Sequence, residues 1–209
     1  IIAGSHDFSP SGKTMLDVLE EAGLFINVVK GSVKDNKLQL KFTVDQKTGV
    51  KITGMLGKRG MLEKSYYEQL DRESLESEPG NKVFMFHTAL TEFKPKSMEK
   101  MDSSPLSLLP KGFDYYAGGH VHYIFQKDEK SSGYGIVTFP GALFPCNFKE
   151  IEEFKGGGFY IIEKKQGEQK LSVEWKQVKL VNVETIFIDC KHKTAEAVEK
   201  ELREKLKDL

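Results

Sequence analysis

The stretch Ala117-Gly118-Gly119-His120-Val121-His122 follows a mostly apolar run at residues 113–116 and constrains the fold more than any other part of the sequence. In an extended strand, residues two positions apart lie on the same face, so His120 and His122 are predicted to point to one side. The two glycines before them carry no side chain, which lets another segment or an ion approach closely. Two imidazoles directed to one point from the end of a strand are suited to binding a metal ion.

Two other segments have the same organisation, in which a predicted buried strand is followed by polar residues. Residues 1–3 precede Gly4-Ser5-His6-Asp7, and residues 83–86 precede His87. In open α/β sheets, ligands bind at the carboxyl ends of the strands. Four of the five histidines occupy such positions, which predicts one shared site. The fifth histidine, His192, is predicted to lie on the surface.

The composition is that of an ordinary globular protein. With 209 residues, 39% of them hydrophobic, the chain can form one sizeable core, or one domain and the start of another. The 31 basic and 31 acidic residues give zero net charge, which does not favour a protein that coats nucleic acid but still allows a local basic site. The two isolated cysteines fit a reducing, cytoplasmic location, and no apolar run reaches the ~18 residues of a membrane span.

Hydrophobic periodicity predicts an α/β or α+β layered fold, because helices alternate with strands early in the chain and strands dominate later. Helices are predicted over residues 14–22, 62–75 and from Thr194 to the end of the chain. Strands are predicted over residues 1–3, 25–29, 38–44, 50–55, 82–87, 113–117, 121–126, 136–139, 158–162, 171–178 and 185–188.

The polar segments, in their order along the chain, resemble the last three signatures of the calcineurin-like metallophosphoesterases. These family signatures read Gly-Asn-His-Asp, then a lone His after a strand, then Gly-His-X-His. The chain has Gly4-Ser5-His6-Asp7, Phe86-His87 and Gly119-His120-Val121-His122. Each motif is short, and it is the ordered set that carries the resemblance.

The segment after β-strand-like residues 136–139 narrows this resemblance. Phe139-Pro140-Gly141-Ala142 is followed by an acidic patch and by the strand-like residues 158–163. The acidic patch consists of Glu150, Glu152 and Glu153. This run is similar to the SbcD-type nuclease subunits that act in double-strand-break repair.

The resemblance implies an incomplete metallophosphoesterase β-sandwich flanked by helices over residues 1–178. The start of a small α/β DNA-capping domain is implied over residues 179–209. The implied activity is that of a DNA exonuclease and endonuclease with two divalent metal ions, usually Mn²⁺. The implied partners are DNA, an ABC-type, SMC-like ATPase subunit and a second copy of the chain. Because the sequence begins with a strand-like segment at Ile1, we expect further sequence before it.

The resemblance also implies the metal ligands. His87 and His120 would bind one ion and His122 the other, since imidazole together with oxygen ligands suits such ions. Ser5 stands where the family has an asparagine that binds metal through its amide oxygen. A serine hydroxyl is shorter and a weaker ligand, so Ser5 is expected to act through a water molecule or not at all.

His6 and Asp7 are the implied catalytic residues. His6 would face the scissile phosphate and donate a proton to the leaving oxygen or stabilise the developing charge. Asp7 would hold the imidazole of His6 in orientation. A turn residue before a helix is the plainer interpretation of both.

The acidic half of the family site is absent from the sequence. The first two family signatures, Asp-X-His and Gly-Asp-X-X-Asp, do not occur, so two ions would share too few donors and no bridging carboxylate. The chain alone is therefore expected to be inactive. Two alternatives stay open, namely a phosphoesterase for small nucleotides or other diesters, and a non-catalytic scaffold that binds DNA or a partner.

Overall fold

The structure of the protein is a computed structural model, which describes residues 1–8, 14–165, 168 and 170–208. It contains ten strands in the described residues. They are β1 (Lys30–Lys34), β2 (Lys37–Lys41), β3 (Thr43–Val44), β4 (Lys51–Met55), β5 (Lys82–His87), β6 (Tyr115–Gly119), β7 (Ile124–Asp128), β8 (Ile136–Pro140), β9 (Gly157–Glu163) and β10 (Ser172–Val178). Six of them form a mixed sheet in the order β3-β4-β5-β6-β8-β7. Strands β4, β5, β6 and β8 are parallel, and β3 and β7 pair antiparallel at the two edges.

The structure combines this mixed sheet with several short helices, so the predicted layered α/β class is confirmed. The helices are α1 (Met15–Glu21), α2 (Lys64–Glu68), α3 (Arg72–Ser77), α4 (Phe148–Phe154) and α5 (Ala195–Lys205). The first begins where the sequence predicts, because Thr14 and Asp17 form a capping box. The Thr14 hydroxyl accepts from the Asp17 amide at 3.2 Å, and the Asp17 carboxylate accepts from the Thr14 amide at 2.6 Å. None of the described helices is long and apolar enough to span a bilayer.

The helix predicted over residues 62–75 is interrupted, so the prediction of one continuous helix was wrong. The backbone at residues 69–71 pairs with Leu38 instead of continuing the helix. The Leu38 amide donates to the Gln69 carbonyl at 2.8 Å, and the Asp71 amide donates to the Leu38 carbonyl at 2.9 Å. A tertiary hydrogen-bond pair therefore outweighs the helical periodicity and separates α2 from α3.

Three predicted strands are absent as regular strands among the described residues, at 1–3, 25–29 and 185–188. The first two are extended and bonded to each other. The Ile1 amino group donates to the Ile26 carbonyl at 2.9 Å, and the Val28 amide donates to the Ile1 carbonyl at 3.1 Å. In the third, Phe187 is 78% exposed, so its apolar character does not reflect a buried strand.

An aromatic core lies beneath the carboxyl end of the sheet. Phe86 and Phe139 are fully buried and meet edge to face, with ring centroids 5.5 Å apart. A Cβ atom on Gly118 would lie 2.5 Å from Cε1 of Phe139, so the absence of a side chain there allows this close packing. The core thus fixes the end of β6, from which the two histidines follow.

The hairpin of β9 and β10 is attached to the edge of the six-stranded sheet. The Trp175 indole donates to the Pro140 carbonyl at 3.1 Å, and the Tyr160 hydroxyl donates to the Phe125 carbonyl at 3.1 Å. Strand β10 ends at Val178, where the sequence places a domain boundary. That boundary stays a prediction.

Removal of the Phe139 ring should be costly. Because this residue is fully buried, Phe139→Ala should lower the free energy of unfolding by about 3–5 kcal/mol. Phe148 is 85% exposed, and Phe148→Ala should change it by no more than about 0.5 kcal/mol. Urea denaturation of the two variants beside the wild type measures the difference. Equal losses would contradict the aromatic core described above.

Candidate metal centre

The parallel pairing of the central strands brings several polar segments to one edge of the sheet. His87 at the end of β5 is the register partner of Gly119 at the end of β6. Gly57, which follows β4, donates its amide to the Ala3 carbonyl at 2.9 Å and so places the segment from Gly4 onward at the same edge. The predicted convergence at the carboxyl ends of the strands is therefore what the fold produces.

The two histidines after β6 lie in a loop, so the prediction that they belong to a strand was wrong. Strand β6 ends at Gly119, and β7 begins at Ile124 on the far side of β8, so residues 120–123 cross the carboxyl edge of the sheet. His120 has a φ of 84°, in the left-handed region, and such a conformation in a residue other than glycine costs about 1–3 kcal/mol. Val121 is only 3% exposed and anchors the loop in the core, while His120 and His122 are exposed.

The imidazole of His87 lies in a slot formed by three glycines. A Cβ atom on Gly4 would lie 2.7 Å from Cε1 of the ring, and one on Gly119 would lie 2.9 Å from Nδ1. A Cβ atom on Gly57 would overlap Cδ2. Each of the three glycines approaches the ring so closely that a side chain on any of them would displace it. The slot fixes where His87 can present its nitrogen atoms.

His87 and His120 are close enough to bind the same ion. Their ring centroids are 5.3 Å apart, and the rings are inclined at 70°. Burial, followed by the positive charge that His120 can carry, lowers the pKa of His87 to about 4. His87 is therefore a neutral imidazole at physiological pH, which is the form that binds metal.

His122 is oriented by a carboxylate on α4. Its Nδ1 lies 2.8 Å from Oε1 of Glu150, and because a carboxylate only accepts, Nδ1 carries the proton and Nε2 is left with a free lone pair. Glu150 is itself held by the Cys146 amide at 2.8 Å and by the Asn147 side-chain amide at 2.9 Å. The bond from the Cys146 amide, followed by that from His122, lowers the pKa of Glu150.

The segment Gly4-Ser5-His6-Asp7 adds a buried hydroxyl and an exposed imidazole. Ser5 is 6% exposed, and its Oγ has no hydrogen-bond partner in the described part of the chain. Beside burial, which is the main cause, the charge of His6 contributes to the lowered pKa values of His87 and His120. His6 therefore lies within electrostatic reach of both.

The Asp7 carboxylate is used within its own turn. It accepts a hydrogen bond from the Gly4 amide at 2.7 Å, while the Asp7 amide donates to the Gly4 carbonyl at 3.2 Å. These bonds shape the backbone that carries His6. The orientation of the His6 ring by Asp7 stays a prediction.

Glu63 is a charged residue that the sequence interpretation missed. The periodicity assigns this residue only to the helix predicted over residues 62–75, yet it is only 3% exposed. Its carboxylate accepts from the Lys58 amide at 3.0 Å. Burial lowers the pKa of His120, and the negative charge of Glu63 acts against that shift. Glu63 immediately precedes α2 and turns back toward the backbone of Lys58, a contact that helical periodicity does not reveal.

The donors gathered here fit a divalent metal ion. His87 is neutral and held in place, and His120 faces it at a distance suited to a shared ion. The partnerless Ser5 hydroxyl is a buried group of the kind that water or an ion satisfies. Imidazole nitrogen and hydroxyl oxygen are acceptable ligands for first-row transition metals.

The lowered pKa of His87 makes the stability of the protein depend on pH. An imidazole in the unfolded chain titrates near its ordinary value of 6.5, whereas His87 in the folded chain titrates at about 4. Between these values the unfolded chain binds more protons, so stability falls as the pH is lowered through this window. His87→Gln should reduce the loss of the urea midpoint between pH 7 and 4.5, and His192→Gln should leave it unchanged. A loss of the same size in all three proteins would contradict a buried, neutral His87.

The sequence of the chain is similar to those of two curated proteins. No protein-family model matches the sequence. The chain is 26% identical over 189 residues to the DNA double-strand break repair protein Mre11 of Methanopyrus kandleri, which covers 84% of this chain and 40% of that protein. It is 29% identical over 98 residues to the protein of the same name from Methanococcus maripaludis, which covers 46% of this chain and 25% of that protein.

The chain therefore spans less than half the length of the curated relatives it matches. The longer of the two alignments extends over most of the present sequence. The resemblance that the ordered motifs predict is thus confirmed, and the chain is related in sequence to the Mre11 proteins of DNA double-strand break repair.

Proposed function

We propose that the chain carries the histidine half of a metal-dependent phosphodiesterase site that cuts DNA in double-strand-break repair. The observation that carries this proposal is the pairing of His87 and His120 at the sheet edge, beside the exposed His6. The names of the two relatives support the substrate and the repair process. Because the chain spans less than half of those relatives, the activity is proposed for the complete natural protein.

His87 and His120 would hold one divalent ion, and Nε2 of His122 is available for a second. Bound ions of this kind activate water and neutralise charge on a phosphodiester. Mn²⁺ is the ion that we propose, with the buried Ser5 hydroxyl acting through a water molecule. Glu63 supplies a buried negative charge that favours cations at this edge.

His6 is the residue that we propose as the general acid. Its side chain is exposed at the same edge as His87, so a phosphate at the centre would be within its reach. An imidazolium can donate a proton to the departing oxygen of the cleaved ester. The turn bonds between Gly4 and Asp7 limit how far the backbone under His6 can move.

The surroundings favour a polymeric substrate over a small diester. His6, His120 and His122 are all exposed in this chain, so none of its described segments covers them. Lys58 and Arg59 follow Gly57 directly along the chain, and the Lys58 ammonium donates to the Tyr66 hydroxyl at 2.6 Å. Basic side chains of this kind are the usual partners of phosphates. For the complete protein, an ABC-type ATPase subunit and a homodimer are further proposals that rest on the resemblance alone.

Replacement of the proposed acid should remove cleavage without removing metal. In the complete natural protein, His6→Gln should lower the rate of Mn²⁺-dependent DNA cleavage by about 10²–10⁴-fold, the range typical of a lost general acid. His192→Gln, which changes an exposed histidine before α5, is the matched control and should keep full activity. Gel assays give the rate, and calorimetry gives the Mn²⁺ affinity.

Equal loss of Mn²⁺ binding in His6→Gln would assign His6 to the metal ligands and overturn its proposed role. Cleavage of a small diester together with no cleavage of DNA would favour the small-diester phosphoesterase. Metal and DNA binding with no cleavage of either substrate would favour a non-catalytic scaffold.

Metal binding should also stabilise the fold. Mn²⁺ at about 100 times its dissociation constant should raise the free energy of unfolding by about 2.7 kcal/mol. His120→Ala should abolish this gain, because it removes one of the two imidazoles that share the ion. Thermal denaturation with and without Mn²⁺ measures the effect, again with His192→Gln as the control. A full Mn²⁺ response in His120→Ala would exclude this residue as a ligand.

A further inference from the structure

A group of three different metal ligands lies on the outer side of His122. His122, Cys146 and Glu150 each offer one donor atom, and these atoms all lie within 4.8 Å of one another. The resemblance implies no role for a thiol here. We infer that this group is a binding site for a thiophilic divalent ion of the zinc class.

The group is largely preorganised by its backbone. One Glu150 oxygen accepts from the Cys146 amide at 2.8 Å, which brings the thiol-bearing residue against the carboxylate. The other oxygen lies 2.8 Å from Nδ1 of His122. Asn147 caps α4 and donates to the same carboxylate at 2.9 Å, so Glu150 keeps its place when either neighbour moves.

The thiol is free to take part. Cys146 is exposed, and its Sγ makes a long contact of 3.7 Å to the Phe144 carbonyl. A bond between a thiol and a carbonyl at this distance is weak. Rotation of the side chain toward Glu150 therefore sacrifices little.

The ligand set selects the kind of ion. One thiolate, one imidazole and one carboxylate are three typical zinc ligands, and three protein ligands leave a fourth position open for water. Thiolate binds Zn²⁺ far better than Mn²⁺ or Mg²⁺, which prefer oxygen. The ion would replace the proton between Nδ1 and Oε1, and the thiol would lose its own proton, so both protons pass to solvent.

This site shares His122 with the proposed catalytic centre but does not depend on it. The nitrogen facing Glu150 is Nδ1, whereas Nε2 is the one available to the centre. Zinc at Nδ1 would fix the ring and alter the donor strength of Nε2. Zinc binding here can therefore be tested whether or not the protein cleaves DNA.

The two cysteines of the chain allow an internally controlled experiment. Both Cys146 and Cys190 are exposed and free, but among the described residues only Cys146 belongs to a group of three side chains that could hold a metal ion. At Zn²⁺ about ten times its dissociation constant, about one site in ten stays free, so alkylation of Cys146 by iodoacetamide should slow about tenfold. Alkylation of Cys190 in the same sample should not change, and mass spectrometry of peptides reports both.

Cobalt substitution tests the thiolate ligand directly. Co²⁺ bound to the protein should give a thiolate charge-transfer absorption in the near ultraviolet. The absorption should be absent in Cys146→Ser and retained in Cys190→Ser. Glu150→Gln should weaken Zn²⁺ binding at least by the roughly 10–100-fold known for partners around a metal. Circular dichroism of Cys146→Ser checks that this exposed substitution leaves the fold intact.

Several outcomes would overturn the inference. They are equal protection of both cysteines, protection of neither, and a charge-transfer band that survives in Cys146→Ser. Loss of Mn²⁺ binding in His120→Ala bears on the proposed catalytic centre alone. The two proposals can therefore fail separately.

Discussion

The parallel register between β5 and β6 is the constraint on which the site depends. It sets His87 opposite Gly119 and Phe86 opposite Gly118. A slip by one residue would reverse the faces of the strand and expose Phe86 to solvent. It would also place the His87 ring outside its glycine slot. The hydrophobic energy that holds the register therefore also positions the imidazole that we propose as a metal ligand.

The aromatic core and the candidate site are both built at the carboxyl ends of the same strands. Phe139 packs against Phe86 because Gly118 leaves room, and one residue later Gly119 leaves room for His87. Val121 continues this alternation into the loop, where its burial turns the neighbouring histidines outward. Core packing at one position therefore determines exposure at the next, while Glu150 on α4 and the glycines of other segments orient the individual rings.

Much of the sheet and the meeting of the motifs could be predicted from the sequence. A buried strand appears in the sequence as an apolar run, and the polar residues that follow mark its end. Strands β5 and β6 accordingly lie close to where they were predicted. Contacts between distant segments leave no such signal. The pairing of Leu38 with the backbone at 69–71 separates α2 from α3. Glu63 is buried just before α2, and neither feature is visible in local periodicity. Helix α4 was not predicted, because its glutamates indicate only an acidic patch in the sequence. Asn147, whose side chain caps the helix, was the signal that could have identified it.

The left-handed backbone of His120 has a conformational cost, and the imidazole that we propose as a ligand belongs to the same residue. Glycine would relieve the conformational cost of about 1–3 kcal/mol, and the same change would remove an imidazole from the centre. Selection for thermal tolerance alone would thus favour the loss of the ligand. Robust variants of this chain should be sought elsewhere, among residues whose backbone has no strain to release.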